Sequence, residues 1–530
     1  DDCSSLKSVY ISDVAAWCKI DFEDSSANPL IYAHNLYLNG TLVTELVILD
    51  SVTSIGSYAF SGCSSLTSVT IGKGVTSIDN YAFDDCSSLK SVYISDVAAW
   101  CKIDFGSYDA NPLSYAHNLY LNGTLVTELV IPDSVTSIGE KAFSGCSSLT
   151  SVTIPDSVTS IGSDAFEDCD SLKSVYISDL SAWCKIDFEY SDANPLSYAH
   201  NLYLSGTLVT ELVIPDSVTN IGEYVFSGCK SLTSVTIPDS VTSIGVCAFS
   251  GCSSLTSVTI PDSVTSVGDY AFSKCSSLTS VSIPDSVTSI SYKAFYGCSS
   301  MKKIDVEENN KQYCSIDGVL FDKNKTKLIC YPVGKLDSTY IIPDSVTSIG
   351  DYSFSECSSL KSVTIPDNAT SIGNYAFEGC SSLTSVTIPD SVTSIVYGTF
   401  RGCSSLKDVY YAGSEEAWKK IHIAADNAPL TDATIHYNST GPMDPVKPEQ
   451  KKVESCTITL GSDTYTYDGK AKTPAVTVKD GATTLTSGKD YDVTYANNTD
   501  AGTAKVTITG KGDYTGTVTK EFTINKADQT

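Results

Sequence analysis

The stretch LTSVTIPDSVTSIGVCAFSGCSS, Leu232 to Ser254, decides the fold because the chain repeats it in phase. From Val209 to Ser300 a 23-residue unit is written four times without interruption. The copies that begin at Leu255 and Leu278 keep Leu-x-x-Val-x-Ile-Pro-Asp-Ser-Val-Thr-Ser-Ile/Val, then Ala-Phe and Cys. In one unit the apolar residues Leu255, Val258, Ile260, Val264, Val267, Ala271, Phe272 and Cys275 are too few to enclose a core. They suffice to line a coil whose neighbours supply the remaining walls, so fixed-period self-similarity predicts a solenoid. Leu-Thr-Ser-Val-Thr-Ile is β-branched and alternates near its end, which predicts a short strand with Val and Ile inward. Pro261 has no N–H to donate and ends that strand. Pro-Asp-Ser turns the chain, Val264 to Val267 forms the return side, and Ala271, Phe272 and Cys275 close the coil.

A larger module of 83 residues is marked by Trp17, Trp100 and Trp183, and again by Cys63, Cys146 and Cys229. It reads as two ordinary units plus one long one. In the long unit, Ser12 to Ile20 offers Asp13 as an N-cap, followed by Val14, Trp17 and Cys18 at helical spacing, which predicts a short helix with its Trp inward. Leu36 to Val43 alternates around Asn39-Gly40, a hairpin signal repeated at Asn122-Gly123 and Ser205-Gly206. Met301 to Ile342 departs from the pattern and predicts an inserted β-hairpin. Regular units resume at Ile342-Pro343, and the last coil, Val409 to Tyr437, carries Trp418 in another helix. About sixteen strand-bearing turns at about 4.8 Å each give a solenoid on the order of 75 Å long.

The motif Ile260-Pro261-Asp262-Ser263-Val264-Thr265, with Ala271-Phe272-Ser273-Lys274-Cys275, resembles the BspA-like leucine-rich repeat family, whose units read IPxSVTxIGxxAFxxCxxLxxV. The match covers roughly residues 1–437, and Ala-Thr-Ile-His-Tyr-Asn at its end resembles that family's C-terminal cap. The resemblance implies a β-rich leucine-rich-repeat solenoid of 23-residue units with short helical insertions. It also implies an extracellular or bacterial cell-surface setting and a non-enzymatic role as an adhesin. Residues 438–452 are rich in Pro and Lys and read as a semi-extended linker. From 453 to 526 short alternating strands, Ala475 to Val478, Tyr491 to Tyr495, Ala504 to Thr509 and Val518 to Ile524, predict a small β-sandwich. Tyr467 to Pro474, Asp490-Tyr491, Asn497-Asn498 and Gly512 to Gly516 make it similar to the Ig-like repeats of bacterial surface proteins, and residues 527–530 look like the lead into a further copy.

The net charge of −28, from 34 Lys and Arg against 62 Asp and Glu, disfavours a nucleic-acid or anionic-membrane partner. The chain contains neither a run of about 18 apolar residues nor an export signal, so no direct membrane insertion is expected. It opens within a repeat, at Asp-Asp-Cys-Ser-Ser-Leu, with no polar cap; either residues precede it or this end stacks on something. Cys229, Cys252, Cys275 and Cys298 recur at one repeat position and predict an inward ladder, read as buried thiols in preference to disulfides because parallel side chains are poorly aimed for bonding. Cys18, Cys101, Cys184, Cys247, Cys314, Cys330 and Cys456 fall outside it.

No catalytic residue, cofactor or metal site is expected. His34, His117 and His200 are one position copied through the module and read as packing, while His422 and His436 have no Cys or second His at ligand spacing. Ser-x-x-Lys at Ser4/Lys7, Ser87/Lys90, Ser358/Lys361 and Ser404/Lys407 copies an acyl-transfer motif, but it recurs from coil to coil as a catalytic motif would not. The aspartates of the Pro-Asp-Ser turns, among them Asp133, Asp262 and Asp390, form a carboxylate column. One carboxylate per coil lacks the roughly six to eight oxygens calcium takes, so they read as turn formers.

Outward hydroxyls at Ser257 and Thr259, Ser280 and Ser282, and Ser385 and Thr387 predict ladders that solvate the strand face or bond glycans. Against this background Tyr10, Tyr93 and Tyr176 replace Thr just ahead of each long unit. Glu45, Glu128 and Glu211 replace Ser in the strand that follows it. These six are the candidate binding residues, since Tyr brings rigid amphipathic area to a surface; the alternative is that the tyrosines cover the Trp helix. Two functions follow: a surface or secreted adhesin for an extracellular protein or glycan, or a structural protein that self-associates end to end.

Overall fold

The computed structural model describes residues 3–441, 451–481, 483–511 and 514–527, and the chain divides into two compact units, Asp1–Thr440 and Gly441–Thr530. The first unit is the solenoid. Each regular coil has a front strand and a shorter return strand. Ser257–Thr259 pairs in parallel with Ser234–Thr236 and with Ser280–Ile283, in a register that stacks Val235, Val258 and Val281. Ser266–Val267 does the same between Ser243–Ile244 and Ser289–Ile290. The Pro-Asp-Ser turn joins the two ladders, its Val264 N–H donating to Pro261 O at 3.0 Å. All eight apolar residues of the unit are buried.

Polar positions bind neighbouring coils together. Ser263 Oγ donates to Val241 O at 2.6 Å and Thr265 Oγ1 to Thr242 O at 3.2 Å. The glycine of the Ile-Gly step recurs where coils come closest, and a Cβ on Gly268 would stand 2.7 Å from the carbonyl carbon of Gly245. Backbone would have to shift to admit a Cβ there, as in the coils that carry Asp79, Ser291 and Val396 at the same step.

The front ladder contains parallel strands in groups of two, four, four, five and five among the described residues, more than the sixteen turns expected. Much of the excess comes from Leu36–Leu38, Leu119–Leu121 and Leu202–Leu204, which join the ladder in parallel with Val9–Ile11, Ser91–Ile94 and Ser174–Ile177. Each then turns through a hairpin whose two central residues have positive φ, such as Asn39 at 48° and Gly40 at 84°. The returning strand, Thr41–Leu42 in the first copy, pairs antiparallel and ends that sheet. The predicted insertion is a hairpin, Tyr313–Ile316 with Val319–Asp322, and its third strand, Lys327–Cys330, rejoins the return ladder beside Ser348–Ile349. Thr387, read as outward, is buried, and the larger Tyr410 stands opposite it in the neighbouring strand.

The second unit places Thr457–Leu460, Val476–Asp480 and Thr483–Thr484 in one sheet. Thr464–Thr466, Thr517–Asn525, Gly502–Gly510 and Tyr491–Ala496 form another. Val453, Val478, Tyr491, Val506, Ile508 and Phe522 form its buried core. The linker residues 442–450, Gly512-Asp513 of the Ig-like motif and 528–530 of the lead to a further copy lie outside the described residues.

The cysteines of the solenoid are free thiols. In the ladder each thiol has a use of its own: Cys252, Cys275 and Cys298 donate S–H to the carbonyls of Phe226, Phe249 and Phe272 at 3.2, 3.2 and 3.0 Å. Burial pushes the thiols of Cys101 and Cys275 up to about 12, which removes the reactive thiolate at neutral pH. A thiol reagent such as Ellman's is therefore expected to label exposed Cys3 rapidly and the ladder only on unfolding; rapid labelling of the ladder in the native protein would contradict this packing.

One acidic cluster couples the fold to pH. Burial, then Asp192 and Glu140 against the opposing Lys141, raises Asp164, and burial with Asp164, Asp168 and Asp192 raises Glu167. A raised folded-state pKa means that the protonated form favours the fold, so this contribution is present in acid and is lost as pH rises through the raised values. Asp164→Asn with Glu167→Gln is expected to raise the melting temperature at neutral pH and to flatten the gain seen on acidifying from there. A lower melting temperature at neutral pH would oppose this reading.

Candidate functional site

In the strand Ser91–Ile94 the alternation buries Val92 and Ile94 and turns Ser91 and Tyr93 outward. Tyr93 lies in register with Tyr120, and the two rings stack at 4.8 Å. Tyr10 stacks on Tyr37 at 4.8 Å and Tyr176 on Tyr203 at 4.7 Å. Every predicted tyrosine thus has a ring partner in the hairpin strand. The signal is present in Leu-Tyr-Leu, where a buried and a half-buried leucine flank the tyrosine, but the turn that follows dominates the pattern. Trp100 is inside the coil against Phe105, at 5.5 Å, and Trp17 and Trp183 lie on Phe22 and Phe188 in the same way.

Glu45, Glu128 and Glu211 are exposed at the start of the strands Glu45–Val47, Glu128–Val130 and Glu211–Val213, opposite Ser68, Ser151 and Ser234. The hairpins divide the front face, so Tyr93 shares a sheet with Glu45 and Tyr176 shares one with Glu128. Tyr10 lies in a sheet without these glutamates, and Glu211 in one without these tyrosines. Glu45 and Tyr93 occupy different columns of their shared sheet. The tyrosine column runs Val47, Thr70, Tyr93, Tyr120, and the glutamate column runs Glu45, Ser68, Ser91.

The tyrosine column opens into a groove of about 520 Å³ lined by Val47, Thr70, Tyr93 and the hairpin tip Asn122-Gly123. Its counterpart, about 490 Å³, is lined by Val130, Thr153, Tyr176 and Gly206. Val47, Val130 and Val213 are 51%, 63% and 66% exposed at an outward position where regular coils carry Thr. The sequence reading missed these valines. A groove with a Val wall, a stacked Tyr wall and a rim of hydroxyls suits noncovalent docking of an amphipathic partner.

The histidines have structural partners. His34, His117 and His200 end short helices at positive φ, and each Nδ1 lies 3.1 Å from a glycine carbonyl, of Gly62, Gly145 and Gly228. Burial and then the ammonium of Lys230, 3.0 Å from Nε2, hold His200 below its ordinary pKa. Among the described residues no group of three or more His, Cys, Asp or Glu could hold a metal ion, and no helix is long and apolar enough to cross a membrane.

A family model described as the BspA type leucine rich repeat region matches in six copies, over residues 33–108, 116–194, 197–326 and 334–436. The chain belongs to the BspA-type leucine-rich repeat family. Among solved structures, a leucine-rich repeat protein from Bacteroides ovatus is 29% identical, covers 70% of this chain and 84% of its own, and has a TM-score of 0.31. A leucine rich cell surface protein from Faecalibacterium prausnitzii is 27% identical over 72% of this chain and 90% of its own, with a TM-score of 0.29. The pneumococcal vaccine antigen PcpA is 21% identical over 73% and 87%, with a TM-score of 0.37. Comparison with curated proteins finds no match. In this BspA-type solenoid the grooves recur with the 83-residue module.

Proposed function

We propose that the chain is a non-enzymatic bacterial binding protein, secreted or displayed at the cell surface, that presents its solenoid to an extracellular protein or glycan. The C-terminal unit, taken as an Ig-like module, serves as a spacer. The observation that carries this reading is the recurrence of one groove: Val47 and Tyr93 at one hairpin, Val130 and Tyr176 at the next. Two equal sites at a fixed separation favour a partner that is itself repetitive, because the second contact forms at high effective concentration. Glu45 and Glu128 on the same sheets would add charge selection at the rim.

The test is a double variant, Tyr93→Ser with Tyr176→Ser, screened against arrays of glycans and matrix proteins. Loss of a partner bound by the native chain, with the melting temperature kept, is the expected result. Unchanged binding with a lower melting temperature would return the tyrosines to a purely structural role. End-to-end assembly, the other reading of an open repeat, predicts a mass that grows with concentration in light scattering.

A further inference from the structure

The coil that carries the insertion lacks part of its turn. In the next coil five positions separate Ile349 from Phe354, whereas only three separate Leu328, its partner in the ladder, from Tyr331. Tyr331 takes the phenylalanine's place: its N–H donates to Ser353 O at 2.7 Å and its ring stacks on Phe354 at 5.2 Å. The missing positions are those that carry outward tyrosines in neighbouring coils, Tyr270, Tyr352 and Tyr375, each at positive φ. A notch therefore opens in that column.

Residues of the preceding coil reach across it. Tyr292 stacks on Tyr352 at 5.8 Å, and Tyr296 sets its ring edge-on to Tyr270 and Tyr352 at 6.3 and 6.2 Å while its hydroxyl donates to Glu356 at 3.1 Å. Lys293 Nζ lies 4.8 Å from the Tyr270 ring and 4.4 Å from that of Tyr352. The groove so formed, about 490 Å³, is walled by Tyr270, Tyr296, Tyr352 and Tyr375 and edged by Lys274, Glu378 and Arg401. Arg401 is the chain's single arginine. Its side chain is 56% exposed, and its contact with Glu378 is long, 3.9 Å, which leaves most of its N–H donors to solvent.

We propose that this notch binds a carboxylated pyranose, of the uronate or sialate type. Tyr352 and Tyr375, stacked on each other at 4.9 Å, form with Tyr270 and Tyr296 an aromatic wall against which the apolar face of a sugar ring can pack. Ser250, whose hydroxyl pairs with that of buried Ser273 at 3.0 Å, and Glu378 line the same groove and can bond sugar hydroxyls. The guanidinium fork fits a carboxylate in bidentate fashion. In a chain with 62 acidic residues against 34 basic ones, the placement of Lys274 and Arg401 along the groove selects an anion. Glu356 and Glu378 beside them, with the net charge of −28, oppose a polyphosphate and leave room for a singly charged sugar.

This site belongs to a different column from the front grooves and does not depend on them. The test titrates the full chain calorimetrically with sialyllactose and a galacturonate trisaccharide, with lactose and the methyl-esterified trisaccharide as neutral controls. At least one acidic sugar is expected to bind, at least about tenfold more tightly than its neutral control. Arg401→Gln is expected to weaken it by about tenfold or more without a change in melting temperature, and Tyr93→Ser with Tyr176→Ser to leave it unaffected. The acidic arm that responds tells sialate from uronate. No binding of either acidic sugar, equal binding of the neutral controls, or full affinity in Arg401→Gln would overturn the assignment. The comparison of acidic with neutral sugar on the native chain stands whatever the stability of the variant.

Discussion

Phe272→Ala is expected to cost about 3–5 kcal/mol, a large share of the stability of any local group of coils. Phe272 is fully buried between Phe249 at 5.4 Å and Phe295 at 5.9 Å, with interplanar angles of 4° and 9°. Truncation removes the contacts above and below the ring at once. The ladder cannot close over the cavity, because the spacing of coils is fixed by backbone hydrogen bonds such as Phe249 N–H to Ala271 O, 2.8 Å, and Phe272 N–H to Ala294 O, 2.9 Å. Cys298 also donates to Phe272 O at 3.0 Å, so a shift of this coil disturbs the thiol ladder too. Repeat arrays unfold in parts, so hydrogen exchange over the coils from Cys247 to Cys298 is the better probe, with urea unfolding beside it. A loss below about 1 kcal/mol, within the usual run of substitutions, would show that the ring is not a rung of the ladder. Phe272→Leu, which keeps much of the volume, is expected to cost less.

That prediction was open to the sequence because a column at fixed period needs only one coordinate, the position within the repeat. Phe249, Phe272 and Phe295 share that position and must stack if the units do. The same logic gave the hairpins at Asn39-Gly40 and Asn122-Gly123 and the inward Trp17, Trp100 and Trp183. It failed where neighbours differ. Thr387 looks like every other outward hydroxyl until Tyr410 is set opposite it. The division of the front face depends on Thr41–Leu42 folding back in antiparallel fashion, which sends Glu128 to a different sheet from Tyr93 although the two are close in the chain. The carboxylated-sugar notch was further from reach. Tyrosines before Ala-Phe were visible in Asp-Tyr-Ala-Phe and Asn-Tyr-Ala-Phe, but a groove appears only when Leu328 is aligned with Ile349 and two positions prove to be missing.

The second large effect is expected at Trp100, where a side chain replaces part of the backbone ladder. In ordinary coils the carbonyl of the Ala-Phe alanine accepts from the phenylalanine N–H of the coil before, as Ala82 O does from Phe60 and Ala165 O from Phe143, both at 2.8 Å. Ala59, Ala142 and Val225 follow long units that contain no such phenylalanine. Their carbonyls accept instead from the indole N–H of Trp17, Trp100 and Trp183 at 2.8, 2.7 and 3.0 Å, each across 42 residues. A buried carbonyl left without its donor costs about 1–3 kcal/mol. Trp100→Phe keeps most of the ring but cannot donate, and leaves Ala142 O with the longer 3.4 Å contact from Asn111 Nδ2. It is expected to lose about 1–3 kcal/mol, and Trp100→Ala about 3–5 kcal/mol or more as the cavity is added. The loss should appear first as faster exchange in the helix Val97–Trp100 and the strand Leu119–Leu121, and with it weaker docking at the Tyr93 groove that this hairpin completes. If Trp100→Phe unfolds within about 0.5 kcal/mol of the native chain, the range of ordinary surface substitutions, the indole is packing alone and the long unit is held by Asn111.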